Sequence, residues 1–567
     1  MPRRDLLLLL ALALTFNLTL AAFLPGPLIE DDAYYFGGAL RLVRGEGFTE
    51  PYLWNYLGNP AGLPQPSHLY WMPLTSIVAA LSMRVFGQSF AAARLPLILL
   101  ASFLPLIAYH IAHQTTGVRR HALGAGLLTI FCGYYSIFWA TTDSFALYAV
   151  VVSLTFFAAS RGSGIRSNDR SNDFSRSGRQ TAEAVTTNDG RRWWLAAGVG
   201  AGLAHLTRAD GVLVLGSLVL WFVIMTRQRP ERRAAGGFPP HVVEGRGSRA
   251  GAAPFDYGSQ SFDFTSFRSG SRASAQGARV VIVYLLVMLP WFIRNFIAVG
   301  SPLGAGGAGT LWLIEYNDIF NYPSNVTPAR YFAAGLEIIM RGKLEALTIN
   351  SQRVIAEQGL IFLAPLIVIG LWQLRRHRLY QVVIIYAALL YVAMTFAFSF
   401  PGARGGLFHS GAALLPFYFP AAIVGLDAVV DWFAARLSHW KPELAKRNFT
   451  MLVVLFAVIL TLAVSIPRLS NLREDPACVL LRDLPAEAVV MSNNPPGVWA
   501  ATGHPGVPLP NGDGNTVIAL ADKFNVRYIV MDQNITPGLV PLYQSNGTEW
   551  LRLIKQEGDV KLFEIMR

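Results

Sequence analysis

Apolar segments long enough to cross a bilayer recur along most of this chain, and they limit it to folds that a membrane can hold. Of its 567 residues, 53% are hydrophobic and 14% are charged, whereas a soluble domain carries about 25% charged residues. A backbone in lipid must satisfy its own hydrogen bonds, so segments of about 20 apolar residues form helices. The sequence predicts a mainly α fold, a polytopic transmembrane helical bundle.

The positions of the basic residues predict the orientation of this bundle. The formal net charge is +12, and basic residues accumulate in cytoplasmic loops. Arg3 and Arg4 place the N-terminus in the cytoplasm. With this start and the eleven spans given below, every inner loop is basic and the C-terminus is extracytoplasmic. The membrane topology accounts for the excess of Arg and Lys, so this excess does not indicate binding to nucleic acid. We expect the bilayer of the plasma membrane as a partner and no nucleic acid. The eleven predicted spans are 6–24, 94–112, 121–140, 144–160, 193–207, 211–226, 279–299, 357–374, 379–400, 411–434 and 448–466.

The first span resembles a signal peptide in its basic start and apolar centre. Its apolar run is long enough to span, and no small-x-small cleavage site precedes Pro25, so we expect it to stay uncleaved. Residues 25–90 then form a long outer segment. Its apolar run 70–87 is only just long enough to cross, and a crossing there would place the basic "TTGVRRH" loop outside. A re-entrant or juxtamembrane helix is therefore predicted for 70–87.

Two domains follow from the change in composition along the chain. Residues 1–466 are predicted to form the transmembrane module, with polar, disordered inner loops at 161–192 and 227–278. In residues 467–567, stretches such as "TVIALADKFNVRYIVMD" predict a helix that leads into a strand. A small extracytoplasmic α/β domain is the result. It has no phosphate-binding Gly-rich loop and no nucleophile elbow, so we expect it to support or select rather than to catalyse.

The stretch "PLIEDDAYYFGG" places three carboxylates directly after the first span: Glu30, Asp31 and Asp32. One interpretation is a helix cap, because acidic residues satisfy free N–H groups at a helix start and suit its dipole. The other is a general base or a metal ligand at the outer membrane surface. The two are compatible, since one carboxylate can fix the loop while its neighbour acts on a substrate.

Three more ionisable residues lie at the predicted outer ends of spans. Asp143 begins the fourth span, either as an N-cap or as a second acid that faces the same cavity and binds acceptor or metal. Arg208 and Asp210 stand between two short spans, either as an ion pair that closes a turn or as a functional site. A guanidinium there can bind a phosphate with its forked donors.

Two histidines and several cations complete the candidates for substrate binding. His68 and His409 lie in outer segments, where a lone histidine is more often structural than a ligand. Arg404 is a second candidate for binding phosphate. Unranked candidates in the loop 300–355 are Arg330, Arg341 and Lys343.

Together, "EDDAYYFGGALRLVRGEG", "ARLPLILLASFLPLIAYHIA", the outer "TTD" and "GLAHLTRADG" resemble motifs of the GT-C superfamily of membrane glycosyltransferases. The nearest resemblance is to protein O-mannosyltransferases, aminoarabinose transferases and bacterial dolichyl-phosphate-mannose-type enzymes. It implies that a sugar moves, with inversion, from a polyprenyl-phosphate donor to an acceptor hydroxyl. It also implies that Asp31, the first residue of the pair Asp31–Asp32, is catalytic and acts as the general base, with Glu30–Asp31 as the alternative register.

The resemblance bears on cofactors and partners as well. Oligosaccharyltransferases hold a divalent metal with a paired acidic motif in the second outer loop, where this chain has only Asp143. We therefore expect no required cofactor, with a divalent cation left open. Arg208 or Arg404 would stabilise the departing polyprenyl phosphate, and the acceptor is a protein, a lipid or a glycan. The alternative class is a transporter or flippase. The sequence shows no inverted repeat of broken helices, and its charges gather at one membrane face rather than at the midplane, so a transporter is disfavoured.

Overall fold

A computed structural model describes residues 2–164, 176–234, 264–437 and 441–566. The first part of the chain is helical, and a short 3-10 segment, Gly133–Ala140, continues its fifth helix after a bend of 64°. Strands β1 (Thr49–Glu50) and β2 (Gln65–Pro66) pair antiparallel in the outer segment. The helices are α1 (Arg3–Ala22), α2 (Glu30–Val43), α3 (Leu74–Phe86), α4 (Phe90–Thr116), α5 (Arg119–Ile130), α6 (Phe145–Gly164), α7 (Arg176–Thr207), α8 (Val212–Ala234) and α9 (Phe264–Val299).

The next part is also helical but repeatedly interrupted. Three π-helical turns, Val354–Gln358, Ala393–Ala397 and Gly402–Gly406, break it into short helices. Such turns are frequent at functional sites. The helices are α10 (Ala305–Gly309), α11 (Pro328–Ala333), α12 (Leu336–Arg353), α13 (Ala364–Leu374), α14 (Arg378–Val392), α15 (Ser399–Pro401), α16 (Leu407–Gly411), α17 (Leu415–Ala434) and α18 (Pro442–Ser470).

The helices confirm a polytopic bundle without fixing the number of spans. Among the described residues, seven helices are long and apolar enough to cross a membrane, or eight if the bent pair of α5 and Gly133–Ala140 is one span. The count of eleven remains a prediction. Helix α3 has 13 residues, fewer than the roughly 20 that a crossing needs, which agrees with a helix that does not cross. The largest buried apolar cluster lies among α4, α6, α14 and α17 and includes Phe145 and Phe408.

The disorder of the inner loops stays a prediction, and the structure describes only part of each loop. Helices α6 and α7 extend into the loop 161–192, and α8 and α9 extend into the loop 227–278. The rest of both loops lies outside the described residues. A helix nucleated in an apolar span can extend beyond it, because each added residue gains a hydrogen bond at no further nucleation cost.

The C-terminal domain has the predicted α/β character. Strands β3 (Val489–Ser492), β4 (Gly506–Pro508), β5 (Val526–Met531), β6 (Leu551–Glu557) and β7 (Val560–Ile565) form a sheet in the order β4-β3-β5-β7-β6. Strand β3 is parallel to β4 and β5, whereas β7 is antiparallel to β5 and β6. The helices are α19 (Pro476–Leu481), α20 (Pro495–Thr502), α21 (Gly514–Phe524) and α22 (Val540–Gln544).

The outer segment connects the sheet to α2. The backbone N–H of Leu53 donates to the carbonyl of Gly506 at 2.8 Å, so residues 51–53 extend the edge of the sheet at β4. Helix α20 packs on α2, where a Cβ at Gly37 would meet Trp499 at 3.0 Å. This close contact positions α2, and with it the three acidic residues at its start.

Candidate active site

Asp32 fixes the start of α2. Its two carboxylate oxygens accept hydrogen bonds from the backbone N–H groups of Leu28 and Ile29, at 2.8 and 3.0 Å. The residue is fully buried, and its carbonyl accepts a hydrogen bond from the hydroxyl of Thr142 at 2.7 Å. Both oxygens of Asp32 are therefore used in holding the turn that presents Asp31.

We expect Asp32→Ala to destabilise the protein without a matching loss in activity per folded molecule. The change leaves two backbone N–H groups without their acceptor, and loss of such a cap costs about 0.5–2 kcal/mol. Thermal unfolding in detergent should show a lower Tm for Asp32→Ala than for Asp32→Asn, which keeps one acceptor oxygen. Equal Tm values for both variants and the wild type would contradict this role.

Asp31, Asp143 and His409 meet at one point, although they are far apart in sequence. His409 Nε2 lies 3.2 Å from Asp31 Oδ2 and 3.0 Å from Asp143 Oδ2. His409 Nδ1 lies 2.8 Å from the carbonyl of Gly405, and because a carbonyl only accepts, Nδ1 carries a proton. The ring of Phe145 stacks on the imidazole with centroids 4.3 Å apart. The imidazole is thus held with Nε2 towards the two carboxylates. We call these three residues the acid–histidine triad.

The two carboxyls of the triad differ in basicity. Burial raises the pKa of Asp31, although His409 opposes this. Burial acts on Asp143 too, but His409 and Arg208 outweigh it, and the pKa of Asp143 lies below its ordinary value. The Asp31 side chain is 22% exposed, whereas that of Asp143 is 0% exposed. Asp31 is therefore the more basic and more accessible of the two, which suits a proton acceptor.

Glu30 lies beside Asp31 and also has a raised pKa. Burial raises its pKa to about 8, and the charge of Asp31 adds to the shift. A carboxyl with this pKa holds its proton near neutral pH and can donate a hydrogen bond.

Arg208 joins the triad through hydroxyl groups. Its Nε donates to Asp210 Oδ1 at 3.1 Å and to Ser410 Oγ at 2.9 Å, and its Nη1 donates to Ser144 Oγ at 3.2 Å. The Ser144 hydroxyl donates to Asp143 at 3.0 Å, and the Ser410 hydroxyl donates to Asp210. Within the described residues Nη2 has no hydrogen-bond partner. The ion pair that the sequence suggested is present, and a guanidinium edge remains for an anion.

Two other candidates lie at different distances from the triad. The exposed Arg404 belongs to the π-helical turn that also provides Gly405, and it lies 4.6 Å from the ring of Tyr316. His68 is buried in a separate cluster, where Nδ1 lies 2.7 Å from Ser67 Oγ and Nε2 lies 2.9 Å from Ser76 Oγ. Burial lowers the pKa of His68 to about 3. The structure does not bring His68 to the triad.

The unranked cations of the outer loop are engaged elsewhere. Arg341 pairs with Glu337, and Lys343 donates to the hydroxyl of Ser399 at 3.5 Å. Arg330 donates to Asp318 at 2.7 Å. Asp318 also accepts from the backbone N–H groups of Ile314 and Glu315 and is fully buried. It thereby holds the turn that carries Tyr316 next to Arg404.

We expect Asp318→Ala to destabilise the protein by about 1–3 kcal/mol at neutral pH, the cost of leaving buried donors unsatisfied. Burial acts to raise the pKa of Asp318, but Arg330 outweighs it and the pKa is lowered. A lowered folded-state pKa stabilises the fold above the unfolded-state pKa, and this stabilisation is lost as pH falls through the folded-state pKa. The Tm difference from the wild type should therefore shrink in strong acid. The control Asp522→Ala removes an exposed carboxylate, and an equal Tm loss there would contradict the assignment.

Sequence reasoning missed Ser144, Ser410, Gly405 and Phe145, which orient the charged groups. Ser144 directly follows Asp143, and Ser410 directly follows His409. A serine after each of these two candidate residues was the one sequence signal that could have indicated them. Nothing local indicated that a carbonyl at Gly405 would fix the histidine tautomer.

The triad also has the composition of a metal site. The three ligand atoms lie within 4.8 Å of one another. Two carboxylate oxygens and one imidazole nitrogen are ligands for zinc and similar divalent ions, and three protein ligands leave a position open. The carbonyl behind Nδ1 is the partner that metal-binding histidines usually have. The residues present fit such an ion. The sequence did not predict this set, because its third ligand comes from a distant helix rather than from a paired acidic motif.

Comparison with solved structures shows that the fold of this chain resembles known folds. No protein-family model and no curated protein sequence matches the chain. Among solved structures, the apo form of ArnT from Cupriavidus metallidurans superposes with a TM-score of 0.54 at 14% identity, covering 98% of this chain and 97% of that one. The similarity shows that the chain has a GT-C-like fold.

Other GT-C structures superpose as well. ArnT from the same organism, bound to undecaprenyl phosphate, gives a TM-score of 0.51 at 14% identity, with 100% of this chain and 98% of that one covered. The oligosaccharyltransferase of Archaeoglobus fulgidus with a tethered acceptor peptide gives 0.54 at 15% identity and covers 93% of this chain and 69% of that one. The same enzyme in complex with Zn and sulfate gives 0.53 at 14% identity, covering 92% and 68%. These similarities concern the fold.

Proposed function

We propose that this protein is a membrane glycosyltransferase that moves a sugar from a polyprenyl-phosphate donor to an acceptor hydroxyl on the extracytoplasmic face of the plasma membrane. The observation that carries the proposal is the meeting of Asp31, Asp143 and His409 beside the guanidinium of Arg208, at the start of an outer helix in a GT-C fold. Support comes from the ArnT structure with undecaprenyl phosphate, which has the same fold.

Each charged group has a task in this reaction. Asp31 takes the proton of the acceptor hydroxyl as its oxygen forms a bond to the anomeric carbon. The bond from that carbon to the phosphate oxygen breaks, and its electron pair leaves with the polyprenyl phosphate. Attack opposite to the leaving group inverts the anomeric centre. Arg208 Nη2 stabilises the charge that develops on the phosphate, because a fixed cation in a dry site needs no reorganisation.

A divalent ion held by the acid–histidine triad would supply further electrostatic stabilisation of the phosphate. The chain's own contribution is orientation. Gly405 and Phe145 hold the imidazole of His409, Ser144 holds the carboxylate of Asp143, and Asp32 holds the turn that bears Asp31.

The location of the site supports a lipid-linked donor. Asp31 follows α1 and Asp143 precedes α6, so both lie at the ends of apolar helices where a headgroup would be found. With the N-terminus inside, this is the outer face. Nucleotide sugars are confined to the cytoplasm, so a sugar donor on the outer face must arrive on a lipid.

Binding of undecaprenyl phosphate tests the proposal directly. We expect this lipid to raise the Tm of the purified protein in detergent, and undecaprenol, which lacks the phosphate, to raise it much less. Incubation with a panel of polyprenyl-phosphate sugars should release polyprenyl phosphate for at least one donor. Equal effects of the two lipids, together with no release from any donor, would overturn the proposal.

A further inference from the structure

A cavity of about 230 Å³ lies beside the π-helical turn whose Gly405 carbonyl orients His409. It lies between the turn that carries Tyr316, helix α12 and the π-helical turn Gly402–Gly406. At ~30 Å³ each, about eight water molecules would fill this volume. We call it the α12 cavity.

The α12 cavity and the triad are connected through one backbone turn. The π-helical turn lines the cavity with Arg404 and provides the Gly405 carbonyl that orients His409. Tyr316 lines the cavity as well, and its ring lies 4.6 Å from the guanidinium of Arg404 on the same turn. The turn that lines the cavity is therefore also the turn that fixes the histidine facing Asp31.

The lining of the cavity is chemically mixed. Glu315, Asn317 and Glu345 provide hydrogen-bond acceptors, whereas Phe400 and the ring of Tyr316 provide apolar surface. Sugar rings present the same mixture, with hydroxyl edges and C–H faces. The carboxylates of Glu315 and Glu345 outnumber the one guanidinium, that of Arg404, so the cavity disfavours a phosphate. The donor headgroup is therefore better placed at Arg208.

The α/β domain borders this cavity. Asn511, which follows β4, donates to Glu315 at 3.3 Å and to Asn321 at 2.8 Å. Because β3, β4 and β5 are parallel, their carboxyl ends share one edge, where Asn493 and Asp532 also lie. This amide-rich edge would meet an acceptor that is longer than one sugar ring.

A peptide acceptor fits the α12 cavity and the neighbouring sheet edge less well than a glycan does. Extended peptides gain affinity by adding a strand to a free sheet edge. The edge at β4, next to Asn511, is already paired with residues 51–53 of the outer segment.

We propose that the α12 cavity is the acceptor site and that the acceptor is a neutral glycan, one ring of which lies against Tyr316 with a hydroxyl directed to Asp31. This inference rests on the proposed function and names its acceptor class. The carboxylates and amide of the cavity hold the hydroxyl edge of the ring, and Arg208 remains with the donor phosphate.

Saturation-transfer NMR on the purified full chain tests the acceptor site, with chitotriose and maltotriose as glycan probes and a threonine-containing tetrapeptide as the peptide probe. We expect binding of at least one oligosaccharide, weakened about tenfold in Glu345→Gln combined with Asn317→Ala. The control Glu337→Gln removes a carboxylate from the exposed start of the same helix and should leave binding unchanged. Glu345 is exposed and Asn317 is partly exposed, so the double variant should fold.

Two outcomes would overturn the inference. One is peptide binding that depends on Glu345 and Asn317 while neither oligosaccharide binds. The other is oligosaccharide binding that the double variant does not change. The stabilisation by undecaprenyl phosphate is measured on the same samples and should persist in the double variant. If that stabilisation is missing from the wild type while oligosaccharide binding depends on the cavity, the donor proposal fails and the glycan site stands.

Discussion

Replacing Asp31 by asparagine is expected to lower the rate of sugar transfer by about 10²–10⁴-fold, the usual contribution of a positioned general base. Asparagine has nearly the same shape, so the turn at the start of α2 should persist. The amide cannot accept the proton of the acceptor hydroxyl, and it also removes a charged oxygen from the side of His409. Release of polyprenyl phosphate from a lipid-linked sugar, measured in membranes, is the direct readout.

The neighbouring carboxylate provides a matched control for this prediction. Asp32→Asn changes the same functional group one residue further on, but its oxygens face the backbone of residues 28–29 rather than the cavity. We expect Asp32→Asn to keep most of the activity per folded molecule. Full activity of Asp31→Asn, or equal losses in both variants, would show that Asp31 is not the base.

The contrast between these two residues shows how far the sequence could be interpreted. Three adjacent carboxylates after an apolar span indicated both a cap and a reactive acid. The structure contains the cap, at Asp32, and the reactive role of Asp31 stays a prediction. Sequence alone left the register open, because assigning the cap requires knowing which side chain turns back to the N–H groups of residues 28–29. That choice depends on the backbone conformation at Ile29, which no local pattern encodes.

The bundle could be predicted because lipid imposes one rule on every segment, and apolar length with loop charge expresses that rule. The site could be predicted only in part. Asp31, Asp143 and Arg208 lie at ends of helices, where charge in an apolar sequence is conspicuous. His409 lies within an apolar stretch between a π-helical turn and α17, and its meeting with Asp143 spans 266 residues. Such a contact depends on tertiary packing, so His409 looked like a lone structural histidine.

Arg208→Met is expected to abolish measurable transfer and also to destabilise the fold. The side chains of Arg208 and Asp210 are 12% and 9% exposed, and removing one partner of a buried ion pair costs about 3–5 kcal/mol. The loss of transfer has a separate cause, since Nη2 is the edge that would face the donor phosphate. Arg208→Lys keeps the positive charge but loses the forked pair of guanidinium donors. We expect this variant to bind undecaprenyl phosphate at least about tenfold more weakly and to transfer sugar at least about tenfold more slowly.

The double variant Arg208→Met with Asp210→Asn separates the two causes. It removes the unpaired buried carboxylate, so the Tm should recover much of what the single change loses. Transfer should not recover, because no cation remains to stabilise the departing phosphate. If transfer returns together with the Tm, Arg208 is a structural partner of Asp210 and the phosphate is stabilised elsewhere, with the exposed Arg404 as the next cation to test. If neither returns, the hydrogen bonds from Arg208 to Ser144 and Ser410 hold the site together, and the lysine variant then decides whether the charge or the fork matters.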